Sequence, residues 1–192
     1  MVIASHLRPG TILKVGGDLL KVIESTFHVG QGKMPGSVHA KLRDVRKGTF
    51  KELRWRPEEK LEEAELTRVD MDYLYSDADS ATFMNPATFD QVSIPLAAIG
   101  SAAEFLKPDM RVAVEFYEGR PVSIDFPEIV EVEVQSTSAP VHTGQDNTFK
   151  PATIVNGLEV MVPQFIKQGE IVRIDVATRK YVDRVRSAAR RS

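Results

Sequence analysis

The chain has 192 residues, a net charge of −2, 42% hydrophobic residues and no cysteine. The lack of cysteine excludes disulfides, thiol catalysis and cysteine-based zinc sites. No apolar run reaches the roughly 18 residues that a transmembrane helix needs, and the start lacks the basic and apolar regions of a signal peptide, so we expect a cytoplasmic protein with no membrane partner.

The small net charge hides a strong segregation of charge along the chain. Residues 1–56 contain 11 basic and 4 acidic residues, whereas residues 57–128 contain 5 basic and 16 acidic residues. Residues 129–192 contain 9 basic and 7 acidic residues. A basic block next to an acidic block favours a protein that approaches a polyanion such as nucleic acid with its first segment.

A β-rich first domain is predicted from the opening residues. Residues 11–15 and 19–23 are strand-like and flank Gly16-Gly17-Asp18, whose glycines tolerate the positive φ of a tight hairpin turn. Residues 38–43 alternate strictly, which places Val38, Ala40 and Leu42 on the core face. Five short strands in about sixty residues are typical of a small SH3-like barrel.

Basic side chains are expected on the outer face of the same strands. In residues 38–43 they alternate with the apolar ones, and in the next strand, residues 49–56, Leu53 and Trp55 turn inward and leave arginines outside. We predict a phosphate-binding face made of His39, Lys41, Arg43, Arg54 and Arg56.

A glycine-rich loop joins two of these strands at residues 27–37. Its glycines and proline keep bulky side chains away from the tip, which permits close approach to another surface. The predicted tip comprises Gly30, Gln31, Gly32, Lys33, Met34, Pro35 and Gly36, with the Lys33 ammonium projecting from its centre. The alternative is an ordinary solvated loop lysine.

Strand patterns continue through the rest of the chain. Residues 57–65 form an acidic connector, and strands resume at residues 71–75. Residues 94–106 contain the one predicted helix, because Ile94, Ala98, Ala102 and Phe105 follow helical spacing.

The last third is predicted to form another barrel. Residues 129–134 alternate again, with Val130, Val132 and Val134 inward. We therefore predict an all-β protein of three small barrels: an SH3-like (KOW-like) domain over residues 1–64 and two OB domains over residues 65–128 and 129–192.

The chain carries no recognisable catalytic or metal-binding motif. Gly32-Lys33 is not a P-loop, because Met34 stands where a Ser or Thr would bind Mg²⁺. The four histidines, His6, His28, His39 and His142, lack metal-ligand spacing. No Gly-x-Ser-x-Gly elbow is present. We predict no enzymatic activity, cofactor or metal site.

One long motif connects the chain to a known family. Residues 150–169 read KPATIVNGLEVMVPQFIKQG, and their fixed spacings of Lys-x-Ala, Gly and Val-Pro resemble the signature of elongation factor P. Shorter matches occur at Arg8-Pro9-Gly10, at Tyr73-Leu74-Tyr75 and at Tyr181-Val182-x-Arg184-Val185. The resemblance extends over nearly the whole chain.

The resemblance implies an L-shaped factor the size of a tRNA, with a role in translation. Such a factor binds the 70S ribosome between the P and E sites when consecutive prolines stall synthesis. The resemblance implies contacts with ribosomal RNA and with the P-site peptidyl-tRNA, and it implies that Lys33 lies beside the CCA end of that tRNA. The resemblance also implies a monomer, a lysine-modifying enzyme as a partner that acts on Lys33, and contacts by Tyr181 and Arg184 in the last domain.

Two features depart from the family pattern. The tip loop is one residue longer than the common form and contains Pro35. His142-Thr143-Gly144 replaces a Gly-Asp-Thr motif in the third domain. Because of the longer tip, the elongation factor P-like paralogue of the same family remains the alternative. A general RNA-binding module of SH3 and OB barrels explains the charge segregation equally well, but not the motif at residues 150–169.

Overall fold

The computed structural model describes residues 1–30, 36–139 and 148–185, most of them in antiparallel strands. The chain forms two compact units. The first consists of Met1–Gly100 with Pro108–Asp125, and the second of Ser101–Lys107 with Phe126–Ser192. The predicted all-β class is confirmed. The division into three domains stays a prediction.

The described residues of the first barrel form six strands rather than the predicted five. A four-stranded sheet has the order β2-β3-β4-β5, and a short pair, β1 and β6, lies outside it. The strands are β1 (Val2–Ile3), β2 (Ile12–Val15), β3 (Asp18–His28), β4 (Ser37–Asp44), β5 (Phe50–Trp55) and β6 (Lys60–Leu61). The extra strands are two residues long, too short to show alternation in the sequence.

Local sequence accounts for the main hairpin and the core of this barrel. Gly16 and Gly17 both have positive φ, 58° and 88°, as a two-residue hairpin turn of the type I′ class requires. On β4, Val38, Ala40 and Leu42 are buried, as predicted from their alternation. Leu53 and Trp55 pack against the same core from β5.

The second half of β3 leaves the barrel core. The register of β3 against β4 shifts between Val22 and Glu24, which marks a bulge. Beyond the bulge most residues of β3 are exposed, including Phe27, yet pairing with β4 continues as far as His28 opposite Ser37. This part of the β3–β4 pair, residues 24–30 and 36–41, is called the arm below; on its β4 side Val38 and Ala40 still belong to the barrel core.

The central barrel follows an acidic connector. Its five-stranded sheet has the order β11-β10-β7-β8-β9. The strands are β7 (Thr67–Ser76), β8 (Ser80–Met84), β9 (Gln91–Pro95), β10 (Arg111–Tyr117) and β11 (Arg120–Asp125).

The predicted helix over residues 94–106 is much shorter in the structure. Ile94 belongs to β9, and the α-helix α1 covers only Leu96–Ile99 before a 3₁₀ helix over Gly100–Phe105. Gly100 caps α1 with a φ of 68°, which lies outside helical geometry. Helical spacing correctly marked buried positions but not the break that this glycine introduces.

The second unit contains two three-stranded sheets, with orders β12-β16-β17 and β13-β14-β15. Val130, Val132 and Val134 are buried, as their alternation predicted. The strands are β12 (Ile129–Glu133), β13 (Ser136–Thr137), β14 (Phe149–Thr153), β15 (Glu159–Pro163), β16 (Ile171–Asp175) and β17 (Lys180–Arg184).

The long motif at residues 150–169 has a structural role within this unit. It supplies most of β14, all of β15 and the buried Ile166. Lys150, although charged, is 3% exposed and donates to the Ser138 carbonyl oxygen at 2.6 Å. Within the ranges that the structure describes, no helix is long and apolar enough to cross a membrane.

Candidate nucleic-acid interface

The arm carries the predicted tip loop between β3 and β4. Lys33 and its neighbours Gln31, Gly32, Met34 and Pro35 lie outside the described residues. Gly30 and Gly36 flank that segment. A Cβ at Gly36 would lie 3.0 Å from the His28 carbonyl oxygen, so the two strands approach most closely where a side chain is absent.

Two cross-strand rows form the outer face of the arm. In the row nearer the tip, His39 pairs with Thr26 and with Arg54. In the next row, Lys41 stands between Glu24 and Glu52. These six residues line one side of a shallow groove of about 270 Å³. The row nearer the tip therefore contains Arg54 and no carboxylate. In the row behind it, the negative charges of Glu24 and Glu52 offset the positive charge of Lys41.

A pair of histidines lies at the tip end of this face. The rings of His28 and His39 meet edge to face with centroids 4.6 Å apart. Imidazole N–H groups are hydrogen-bond donors that suit phosphate oxygens. The sequence prediction included His39 but missed His28. Strand alternation could have indicated His28. This residue lies two positions after Thr26 on the same strand, and therefore on the same face, and Thr26 pairs with His39.

Arg54 and Arg56 are exposed at the edge of the same region. Among the described residues no carboxylate lies within ion-pairing distance of either guanidinium, or of the Lys41 ammonium, which lies 5.2 Å from the centroid of the Phe50 ring. The structure thus brings together His39, Lys41 and Arg54 as predicted, with Arg56 directly after β5.

Arg43 does not join this face, which corrects the sequence prediction. Its Nη2 donates to the Ala98 carbonyl oxygen at 2.9 Å, and its side chain is partly buried. Burial lowers the pKa of the Arg43 guanidinium from its ordinary value. Alternation correctly predicted that Arg43 lies on the outer face of β4. The C-terminal end of α1, however, covers this end of the strand.

Three other cations of the first barrel form ion pairs with carboxylates. The Asp18 carboxylate accepts from Lys51 Nζ at 2.6 Å and from Lys47 Nζ at 3.0 Å. Lys14 Nζ lies 3.5 Å from Glu62 Oε1. These ion pairs reduce the positive charge that residues 1–56 present to a polyanion, whereas Lys41, Arg54 and Arg56 keep theirs.

The Asp18 cluster gives a pH-dependent prediction. Hydrogen bonds from Lys51 and then Lys47 lower the pKa of Asp18 to about 2. Because this pKa is below its unfolded value of about 3.9, the stabilisation is present above pH ~4 and is lost as the pH falls toward 2. In Lys51→Met, NMR titration of the Asp18 carboxyl carbon should show a higher pKa. An unchanged pKa, equal to that in the control Lys60→Met, would contradict the assignment.

The two residues predicted in the last domain share a second groove. Tyr181 is half-buried, and burial raises the pKa of its hydroxyl. The Arg184 guanidinium lies 5.6 Å from the Phe165 ring centroid, and its Nη1 lies 3.0 Å from Glu170 Oε1. The groove is also lined by Phe165, Val185 and the ion pair of Arg173 with Asp183. An aromatic side chain beside guanidinium groups is an arrangement that can stack on bases.

Family comparisons cover almost the entire chain. Residues 3–61 match the model of the elongation factor P (EF-P) KOW-like domain. Residues 66–124 match the EF-P OB domain, and residues 130–184 match the elongation factor P C-terminal domain.

Full-length relatives give the same result. The chain is 37% identical over 186 residues to elongation factor P of Clostridium kluyveri, covering 96% of this chain and 100% of that protein. It is 40% identical over 187 residues to elongation factor P of Nocardia farcinica, covering 96% and 99% of the two chains.

A solved structure supports the fold. Eukaryotic translation initiation factor 5A from Methanococcus jannaschii superposes with a TM-score of 0.52 at 17% identity, covering 65% of this chain and 90% of that one. At this identity the likeness concerns the fold alone.

Proposed function

Because the chain belongs to the elongation factor P family, we propose that it binds the ribosome between the P and E sites and stimulates peptide-bond formation where consecutive prolines stall synthesis. The family relationship covers all three matched regions of the chain. In this role the protein positions the P-site peptidyl-tRNA, and the chemistry remains that of the ribosome.

The observation that carries this proposal is the arm. The second half of its β3 strand is largely exposed yet stays paired with β4 as far as His28, and the two strands are joined by a glycine-flanked segment whose centre is Lys33. A glycine-rich segment at one end of a barrel permits close approach to a confined surface. We propose that Lys33 lies along the CCA end of the tRNA and is also the residue on which a lysine-modifying enzyme would act.

The residues behind the tip would hold the nucleic acid in register. The His28–His39 pair lies on the arm, and Arg54 and Arg56 are exposed beside it, where these side chains can donate to phosphate oxygens of the tRNA or ribosomal RNA. Tyr181 and Arg184 would provide a separate RNA contact from the second unit, for which Arg184 would exchange its ion pair with Glu170 for a phosphate or base. The acidic residues between 57 and 128 disfavour phosphate contacts by the central barrel.

Positioning is a sufficient mechanism for this activity. Proline is a rigid and poorly placed nucleophile, so reacting ends that are held only loosely seldom adopt the productive geometry. Fixing two reactants in the right orientation can remove several kcal/mol from a barrier without any catalytic group. This explains how a chain without a recognisable catalytic motif could accelerate synthesis.

Ribosome binding tests the proposed interface. We expect the double variant Arg54→Glu/Arg56→Glu to bind ribosomes more weakly and to flatten the plot of log affinity against log salt by about one unit per lost phosphate contact. Affinity should be measured by pelleting at several salt concentrations.

The matched control is Arg8→Glu/Lys60→Glu, which makes the same change in net charge at exposed positions of the same barrel. Its salt dependence should stay close to that of the unaltered protein. Equal losses in the two double variants would show that total charge, rather than the face beside the arm, determines binding.

A further inference from the structure

The first and central barrels meet at a joint within the first compact unit. On one side is the turn after β4, and on the other is the C-terminal end of α1. Gly48 in that turn has a φ of 70°, and a Cβ placed on it would lie 2.1 Å from the Ala97 carbonyl oxygen. No side chain fits there, so the two backbones are in direct contact.

Arg43 closes the same joint. Its Nη2 donates to the Ala98 carbonyl oxygen at 2.9 Å, one of the carbonyls that the end of a helix leaves without an intrahelical partner. The guanidinium also lies against Gly100, where an added Cβ would be 2.8 Å from Nη2. Two glycines and one arginine therefore form a tightly fitted contact.

An apolar cluster supports this contact. Ile12, Leu19 and Val45 of the first barrel are buried with Val122 of the central sheet. The Arg46 guanidinium lies 6.0 Å from the centroid of the Tyr117 ring.

The connector between the barrels is held as well. Its backbone is hydrogen-bonded along β2, with Ala64 N–H donating to the Ile12 carbonyl and Lys14 N–H to the Glu62 carbonyl, both at 2.9 Å. The connector therefore cannot act as a free hinge while these bonds persist.

We propose that Arg43 is a positioning residue, which acts through this joint to fix the direction of the arm and thus of Lys33. The inference rests on the proposed function. An arm that positions a tRNA end must itself have a fixed orientation. The contacts of the first barrel with the central barrel provide that orientation. A strand of 11 residues spans about 35 Å, so a tilt of about 10° at the base would displace its end by about 6 Å. Misplacement by about 1 Å can already reduce a rate by about 10²-fold.

The joint can be tested with two variants and one matched control. Gly48→Ala introduces the clash with Ala97, and Arg43→Met removes the donors while keeping a long side chain. Gly119→Ala is the control, because Gly119 also has a positive φ, 76°, but its added Cβ meets nothing within 4 Å. Both glycine variants thus strain the backbone, and only one disturbs the joint.

Two readouts are needed for each variant. Because the chain has no cysteine, spin labels can be attached uniquely at Glu58→Cys and Asp79→Cys, two exposed positions on the two barrels. Their distance distribution, measured without ribosomes, reports the joint. Synthesis of a Pro-Pro-Pro peptide, measured across factor concentrations, separates the saturating rate from the half-saturating concentration.

We expect Gly48→Ala and Arg43→Met to broaden or shift the distance distribution and to lower the saturating rate at least about tenfold. The half-saturating concentration should change less, since the arm keeps its RNA contacts. Gly119→Ala should match the unaltered protein in both readouts. If Gly48→Ala does not fold, Arg43→Met decides the question by the same readouts.

Two results would overturn the inference. An unchanged distance distribution in the joint variants would show that these contacts do not hold the barrels. A changed distribution with a native saturating rate would show that the direction of the arm does not matter. If the unaltered protein itself gives no stimulation, the proposed function fails and the positioning role with it, whereas the distance measurement still reports on the joint.

Discussion

Replacing Lys33 with alanine is expected to abolish the stimulation of Pro-Pro-Pro synthesis while leaving the fold intact. Lys33 is the central residue of the segment between β3 and β4 in the sequence, and we propose that it acts beside the CCA end. Stability should change by no more than about 0.5 kcal/mol, the usual size of the effect of a surface substitution. Synthesis of the tripeptide in a purified translation system measures the first effect, and urea unfolding measures the second.

The control for this experiment is Lys60→Ala, which removes a lysine from an exposed position on β6 of the same barrel. It should retain full stimulation. Full stimulation by the Lys33→Ala protein as well would remove Lys33 from the mechanism, whatever the other residues of the arm do.

The largest effect on stability should come from Asp44. This residue is 1% exposed, and its Oδ1 accepts hydrogen bonds from the backbone N–H groups of Arg46 and Lys47 at 2.9 and 3.0 Å. These bonds shape the turn that carries Gly48. Asp44→Ala removes the one oxygen that accepts both hydrogen bonds and leaves a small void, so we expect a loss of about 1–3 kcal/mol in the free energy of unfolding.

Asp77 offers a matched control for that loss. Its Oδ1 accepts from the N–H groups of Asp79 and Ser80 in the same manner, but in an exposed turn. Because water can replace the lost acceptor there, Asp77→Ala should cost less than Asp44→Ala. Urea unfolding curves of the two variants provide the comparison, and equal losses would show that burial of the Asp44 carboxylate is unimportant.

Alternation in the sequence predicted the parts of the fold that depend on one sheet face. Val38, Ala40 and Leu42 on β4 and Val130, Val132 and Val134 near β12 are buried as expected, because a period of two leaves a strand only one apolar face. The hairpin turn at Gly16 and Gly17 could also be predicted from the sequence, since the positive φ values of such a turn favour glycine.

Features that depend on contacts between distant segments could not be predicted in this way. Arg43 has the sequence context of an exposed strand residue, and only the approach of α1, 55 residues later in the chain, makes it part of a joint. The helix prediction failed for a related reason. Ile94 is buried at helical spacing from Ala98, but it is paired with Ala81 in a sheet.

The candidate site was predicted in outline. The sequence marked the loop with Lys33 and the cations on its supporting strands, but not the contribution of His28, because its contact with His39 depends on the register of β3 against β4. Nor could it show that Lys47 and Lys51 are occupied by Asp18. Counting charges along the chain therefore overestimates the cations available to nucleic acid.

The central claim is that this chain accelerates peptide-bond formation at consecutive prolines, and its most direct test compares two messages in a purified translation system. One message encodes Pro-Pro-Pro and the other an equal length without proline, each with and without the purified protein. The account predicts a large increase in the rate of peptide synthesis on the first message and little change on the second. Equal rates with and without the protein on the Pro-Pro-Pro message would contradict it.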